Sequence, residues 1–263
     1  MRRRVESGRR SGVITATRGN HGISIAYAAA REGIDATIVV PHGNSVEKNA
    51  AMEALGAEVV EAGRDFDEAR TVADALAGEL HLDFVPPYHP DLVLGVATYA
   101  FELFTATPDL DVVYVPIGLG SGICGVIGVR DLLGLPTRVV GVVAEGAPAY
   151  ALSFAAGSVH ATERAATFAD GVAVRNPDAT AFEVILRGAD RVLSVSEDEI
   201  AGAARLLFRA SHNAAEGAGA AALAALMSER EERAGTRVAV ILTGGNIDSE
   251  KFATVLQGRT PSP

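Results

Sequence analysis

Three short stretches combine glycine with small polar side chains in patterns that could do chemistry. Thr15-Ala-Thr-Arg-Gly-Asn-His-Gly22 offers hydroxyls, a guanidinium, an amide and an imidazole. Gly118-Leu-Gly-Ser-Gly-Ile-Cys-Gly125 offers backbone N–H groups and one hydroxyl, and Thr243-Gly-Gly-Asn246 offers a hydroxyl and an amide. The middle stretch contains Gly120-Ser-Gly122-Ile-Cys-Gly125, which fits G-x-G-x-x-G, and Glu145 lies 20 residues beyond its last glycine. That is the fingerprint of a dinucleotide site, with the acid on a ribose. The same glycines also serve a tight turn under a closely packed helix. A third chemistry is a phosphate cradle, in which exposed N–H groups and Ser121 hold one anion at a helix N-terminus. The residues alone leave all three open.

Each stretch follows a β-branched run, and ligands of open α/β sheets gather where strands end. The alternation predicts strands at Val13–Thr17, Thr37–Val40, Glu58–Glu61, His81–Val85, Val112–Pro116, Arg138–Ala144, Val192–Val195 and Arg237–Leu242. Between them, Ala-rich amphipathic runs predict helices at Gly22–Glu32, from Asn44 to Gly56, Asp65–Leu80, Leu92–Thr105, from the glycine loop to Leu133, Glu197–Ala210 and Ala214–Ser228, with a short one at the end. Gly33 is the expected left-handed C-cap of the first helix, and Asn44 with Glu47 reads as a capping box. Gly146–Arg191 reads as irregular. Strands separated by helices pair in parallel through right-handed crossovers, so the fold class is α/β with two open parallel-sheet lobes. Pro86-Pro87 marks the division, giving a smaller lobe over 12–91 and a larger one over 92–259.

The chain of 263 residues carries 23 basic and 33 acidic side chains, a net charge of −10, which argues against a nucleic-acid partner. No apolar run reaches the length of a membrane span. The basic start, Met1 to Arg10, lacks the apolar core of a signal peptide. One cysteine, Cys124, excludes an internal disulfide and a cysteine-rich zinc site, and a cytoplasmic location is expected. Only Lys48 and Lys251 are lysines, against 21 arginines, so amine chemistry has two candidate positions. Both are expected to be solvated surface residues.

Taken in order, Thr-Arg-Gly-Asn-His-Gly, Val39-Val-Pro, Lys48 with Gly56-Ala-Glu58, the glycine loop, Glu216-Gly-Ala-Gly-Ala220 and Thr243-Gly-Gly-Asn246 resemble one group of proteins. It is the serine/threonine dehydratase and serine racemase group of fold-type-II pyridoxal phosphate enzymes, of the tryptophan synthase beta type. The resemblance runs from about Gly12 to Leu256 and implies pyridoxal 5'-phosphate as cofactor. It also implies an amino-acid substrate, a homodimer, and conversion of L-threonine, L-serine or a related 3-hydroxy amino acid to a 2-oxo acid and ammonia.

By the same resemblance, Asn20 bonds the cofactor's ring hydroxyl, while Gly118, Leu119, Gly120, Ser121 and Gly122 cradle its phosphate. Thr243 faces the ring nitrogen, and Glu216 lies near the ring. Thr17, Arg18, Gly19 and His21 form the substrate side. Leu119 and Ser121 depart from the usual tetraglycine, and Arg18 stands where related racemases place a hydroxyl, which argues against racemisation. Thr167-Phe-Ala-Asp-Gly171 resembles a stretch near a cation site, but one carboxylate, Asp170, makes no metal site, and none is expected. The family's lysine motif, Ser-x-Phe-Lys-x-Arg-Gly-like, has no counterpart before the Asn20 turn. The expectation is therefore a chain lacking the N-terminal segment with the Schiff-base lysine, and no catalytic residue is assigned. Two other readings stand beside this one: an inactive chain that binds the cofactor or an amino acid, and an NAD-dependent oxidoreductase.

Overall fold

The computed structural model describes residues 12–263, so the basic start read as no signal peptide lies outside the described residues. They divide into two compact units, one ending at Pro87 and the other running from Tyr88 to Pro263. The sequence expectation marks the division at Pro86-Pro87, with lobes over 12–91 and 92–259.

The first unit holds β1 (Val13–Ala16), α1 (Asn20–Glu32), β2 (Ala36–Val40), α2 (Val46–Ala54), β3 (Glu58–Glu61), α3 (Phe66–Glu79) and the two-residue β4 (Asp83–Phe84). Its sheet is parallel, in the order β3-β2-β1-β4. Every residue of β1 and β2 is buried, as a parallel sheet covered on both faces requires. Ile25, Ala26 and Met52 pack on one face, and Ala69, Ala73 and Ala77 on the other. Gly33 ends α1 in the left-handed conformation, as expected. Two expectations shift. Strand β1 stops at Ala16, and α1 starts at Asn20 rather than Gly22, so Asn20 and His21 belong to a helix's first turn. The cap of α2 is Ser45, whose hydroxyl accepts the Lys48 N–H at 3.1 Å, while the Asn44 amide donates to Asn49 Oδ1 at 2.7 Å. An Asn one residue too early cannot reach the N3 amide.

The second unit holds α4 (Pro90–Ala106), β5 (Val112–Pro116), α5 (Ser121–Leu132), β6 (Arg138–Ala144), α6 (Ala149–Ala156), α7 (Ala179–Gly188), β7 (Arg191–Val195), α8 (Glu197–Ser211), α9 (Gly217–Ser228), β8 (Val238–Val240) and α10 (Ser249–Leu256). Its sheet is also parallel, in the order β7-β6-β5-β8. Helix α9 has Ala or Gly at eight of its twelve positions and is largely buried from Gly217 to Ala225, packed on β5, β6 and β7. Small side chains let its axis approach the sheet closely. The stretch read as irregular contains α6 and α7. Strand β8 stops at Val240, two residues short of expectation, and one further bond, Ile241 N–H to Tyr114 O at 3.0 Å, prolongs the pairing. No helix among the described residues is long and apolar enough to cross a membrane.

Candidate functional site

In each sheet the first strand is central and the later strands lie on both sides of it, so the chain reverses direction at its carboxyl end. That is where ligands of such sheets are bound. The Thr17 turn follows β1, and the glycine loop follows β5.

In the first unit the turn is shaped by Thr17, which is 3% exposed. Its Oγ1 accepts the N–H groups of Gly19 at 2.9 Å and Gly22 at 3.2 Å, leaving its own hydrogen to donate. Gly19 is needed for closeness: a Cβ there would lie 2.8 Å from Cδ of Lys48. Lys48 itself is 5% exposed. This corrects the expectation of a solvated lysine, since its stem runs under the turn instead of into water. Arg18 is half-buried and Asn20 exposed, with the Asn20 carbonyl accepting the Ser24 hydroxyl at 2.9 Å.

The His21 ring turns inward, Nε2 lying 3.0 Å from Thr15 Oγ1. Thr15 gives its one hydrogen to Val85 O at 2.7 Å, so Nε2 must be the donor and Nδ1 the acceptor. Burial lowers the pKa of His21 to about 4 despite the hydrogen bond with Val85 that raises it. The imidazole is therefore neutral near pH 7 and braces β1 against the end of β4.

In the second unit, β5 delivers Gly118 and α5 begins at Ser121. Among the described residues, none of the N–H groups from Gly118 to Ile123 meets a protein acceptor. Helix α5 has no side-chain cap, so its first turn keeps its donors and the positive end of its dipole. Positive φ falls on Gly120, at 104°, and not on Leu119. The departure at Leu119 is thus compatible with a donated N–H there.

The loop is braced from behind by main chain and by two phenols. A Cβ on Gly118 would lie 2.4 Å from Gly171 O, and one on Gly120 would lie 2.8 Å from Ala181 Cβ. Tyr150 donates its hydroxyl to Leu119 O at 2.9 Å, and Tyr99 donates to Gly122 O at 3.3 Å. Cys124 points away from the loop: its thiol donates to Ala181 O at 3.6 Å and accepts from Tyr88 at 3.7 Å. Burial pushes that thiol up to about 11.

The remaining expected residues of this unit come to the same place. Gly171, against Gly118, is also beside Glu216, whose Oε1 lies 3.9 Å from where a Cβ on Gly171 would be. Glu216 is 7% exposed and stands at the N-cap position of α9, its own N–H bonding Gly244 O at 3.1 Å. A Cβ on Gly219 would meet Gly244 O at 2.3 Å, and one on Gly245 would meet Ala214 O at 2.4 Å. The Thr243 turn is therefore seated on main chain, with Thr243 itself exposed. Lys251 pairs with Asp170 at 3.8 Å, which replaces the expected free surface amine. Glu145 is exposed beyond β6, its N–H bonding Val195 O at 2.8 Å. Among the described residues no group of three or more His, Cys, Asp or Glu side chains is placed to hold a metal.

A phosphate fits this seat: the donors are unmet, the dipole is favourable, and the loop's backs are filled so that only its N–H side is free. Sequence reasoning missed Tyr99, Tyr150 and Gly171. Their contacts with the loop span 23, 31 and 53 residues, and no local pattern signals them.

Comparison with known proteins agrees with that geometry. The L-threonine ammonia-lyase of Thermotoga maritima is 36% identical over 92% of this chain and 61% of its own length. The L-threo-3-hydroxyaspartate ammonia-lyase of Saccharomyces cerevisiae is 30% identical, over 97% of this chain and 78% of its own. The processed form of threonine deaminase isoform 2 from Solanum lycopersicum superposes with a TM-score of 0.86 at 32% identity, covering 94% of this chain and 73% of that one. The chain spans about three fifths of the length of the curated threonine ammonia-lyases it matches. The family match, to pyridoxal-phosphate dependent enzymes, takes in residues 1–244. With two parallel sheets, an unmet anion seat at the start of α5 and a match over most of its length, the chain belongs to the pyridoxal-phosphate dependent enzyme family.

Proposed function

We propose that this chain is an ammonia-lyase, removing water from a small 3-hydroxy amino acid and yielding a 2-oxo acid and ammonia. The observation that carries the reading is the row of unmet N–H groups from Gly118 to Ile123, beside Glu216 and the Thr243 turn. One anion seat next to a hydroxyl-bearing turn suits a phosphorylated pyridine better than a dinucleotide. The names of the relatives, which act on threonine and hydroxyaspartate, support the reaction class.

Pyridoxal phosphate, when bound, supplies the electron sink that makes the substrate's Cα proton acidic. Gly118, Leu119, Gly120, Ser121 and Gly122 hold its phosphate through backbone N–H groups, helped by the Ser121 hydroxyl. Thr243 places a hydroxyl, not a carboxylate, at the ring nitrogen. A hydroxyl there would not enforce protonation of the ring nitrogen, which would favour elimination over transamination. Glu216 would lie near the ring, and Asn20 would hydrogen-bond the ring hydroxyl. The Gly19 and Gly22 N–H groups are engaged by Thr17, so the substrate carboxylate would be taken by the Thr17 hydroxyl hydrogen and by the His21 N–H in the first turn of α1. The overall reaction would remove the Cα proton and the β-hydroxyl as water and take water back on hydrolysis, giving the 2-oxo acid and ammonia. The covalent link to the cofactor is assigned to neither Lys48, buried under Gly19, nor Lys251, paired with Asp170. We assign the chain to the cytoplasm and to a homodimer, which sedimentation would test.

The test is 2-oxo acid formation from L-threonine, L-serine and L-threo-3-hydroxyaspartate with added pyridoxal phosphate. Product from at least one supports the proposal. Cofactor binding without product from any of them would reduce the chain to a binding protein. If Arg18 clamps a second carboxylate, hydroxyaspartate is preferred and Arg18→Ala erases the preference.

A further inference from the structure

The glycine loop presents its N–H groups outward, yet nothing in the loop's own sequence enforces that orientation. A peptide unit flanked by glycine rotates easily, and an outward carbonyl would repel a phosphate instead of binding it. In a trans peptide the C=O and the following N–H point in opposite directions. Whatever holds the Leu119 carbonyl inward therefore aims the Gly120 N–H outward. The holder is Tyr150 on α6, 1% exposed, whose hydroxyl reaches Leu119 O at 2.9 Å.

We propose that Tyr150 is a positioning residue of the anion seat: it locks the Leu119–Gly120 peptide so that the Gly120 N–H faces the cofactor's phosphate. Tyr150 is itself fixed, because its oxygen accepts the Asp178 N–H at 3.1 Å and Asp178 caps α7 through the Ala181 N–H at 2.9 Å. The phenol is thus a relay between the start of α7 and the loop. Burial raises its pKa above the ordinary tyrosine value, so it remains a donor across the usable pH range. Tyr99 acts in the same sense on Gly122 O from α4, but at 3.3 Å its bond is long for two oxygens and its share is smaller. The Ile123 N–H opposite that carbonyl is already aimed by the helix. Tyr150 never touches the ligand in this account.

The inference rests on the phosphate seat proposed above, and the experiment separates the two. The probes are pyridoxine 5'-phosphate, which has no aldehyde and forms no link to any lysine, and pyridoxine, which lacks the phosphate. Affinities for the full chain are measured by calorimetry. The wild-type chain binds the phosphorylated probe the more tightly. In Tyr150→Phe that preference falls about fivefold to tenfold, while pyridoxine affinity is unchanged. Tyr99→Phe loses about twofold. A wild-type chain with no preference for the phosphorylated probe overturns the seat and this proposal with it. A preference intact in a folded Tyr150→Phe overturns the positioning role alone. Should that variant not fold, the Gly120 amide of the wild-type chain, followed by NMR during titration with inorganic phosphate, decides the matter. A shift at saturation supports an outward N–H, and an unmoved resonance overturns it.

Discussion

The two units solve the same problem with the same sheet and opposite materials. Both run their first strand through the centre and place a glycine-bearing turn at its carboxyl end: β3-β2-β1-β4 in one and β7-β6-β5-β8 in the other. After β1, the turn is shaped by side chains, with the Thr17 oxygen taking two N–H groups, the His21 ring braced on Thr15, and the Lys48 stem under Gly19. After β5, the loop is shaped mostly by main chain, with Gly118 against Gly171 O. Strand order thus decides where a loop stands, and the loop's neighbours decide how much change it tolerates.

The sharpest test of that contrast is alanine at the two glycines. Gly118→Ala places a methyl 2.4 Å from a main-chain carbonyl that cannot swing aside. We expect about 3 kcal/mol of destabilisation, or about 100-fold weaker pyridoxal phosphate binding if the strain is taken up at the loop. Both are read by denaturant unfolding and cofactor titration, and a neutral result would remove the distinction between the units. The matching Gly19→Ala meets only the flexible stem of Lys48, and its effect is the smallest.

The next effect is on pH. His21 has a pKa of about 4 in the folded chain against 6.5 as its ordinary value. Between those values the unfolded chain binds the proton and the folded chain does not, so stability rises with pH through that window and is lost as pH falls from 6.5 towards 4. The loss is about 2–3 kcal/mol. His21→Gln lacks this slope, and an unchanged pH profile of unfolding would show the ring to be solvated.

Thr17→Val keeps the shape and removes the acceptor for the Gly19 and Gly22 N–H groups. About 2 kcal/mol is expected, since buried donors are left unmet. A loss below a few tenths would mean that water replaces the hydroxyl. Gly19→Ala should cost about 1 kcal/mol, because a side-chain neighbour adjusts more readily than a carbonyl. A cost equal to that of Gly118→Ala would break the comparison.

Much of the fold was legible because its signals are local. The strand runs from Val13, Thr37, Val112 and Arg138, and the Gly33 stop, are nearest-neighbour patterns that burial and αL geometry enforce. The misses have a common cause. Helices α6 and α7 lie in a stretch punctuated by Pro148 and Pro177, yet Pro148 stands at the N-cap of α6, where it interrupts nothing. Asn44 and Ser45 are both good caps by type, and the register of one residue that separates them is set by the helix itself. The positions of Gly120 and Thr243 at strand-end loops followed from the alternation, whereas Asn20 falls in the first turn of α1. The burial of Lys48, the inward turn of His21 and the reach of Tyr150 to Leu119 depend on contacts between distant elements, which residue types alone do not encode.

The glycine contacts around the second unit's loop have an evolutionary consequence. Gly118 on Gly171, Gly219 on Gly244 and Gly245 on Ala214 make a wall of peptide on peptide. Such a wall offers selection little to vary, since nearly every substitution there is a clash. Side-chain variation in this unit is left to positions whose side chains stand clear of that wall.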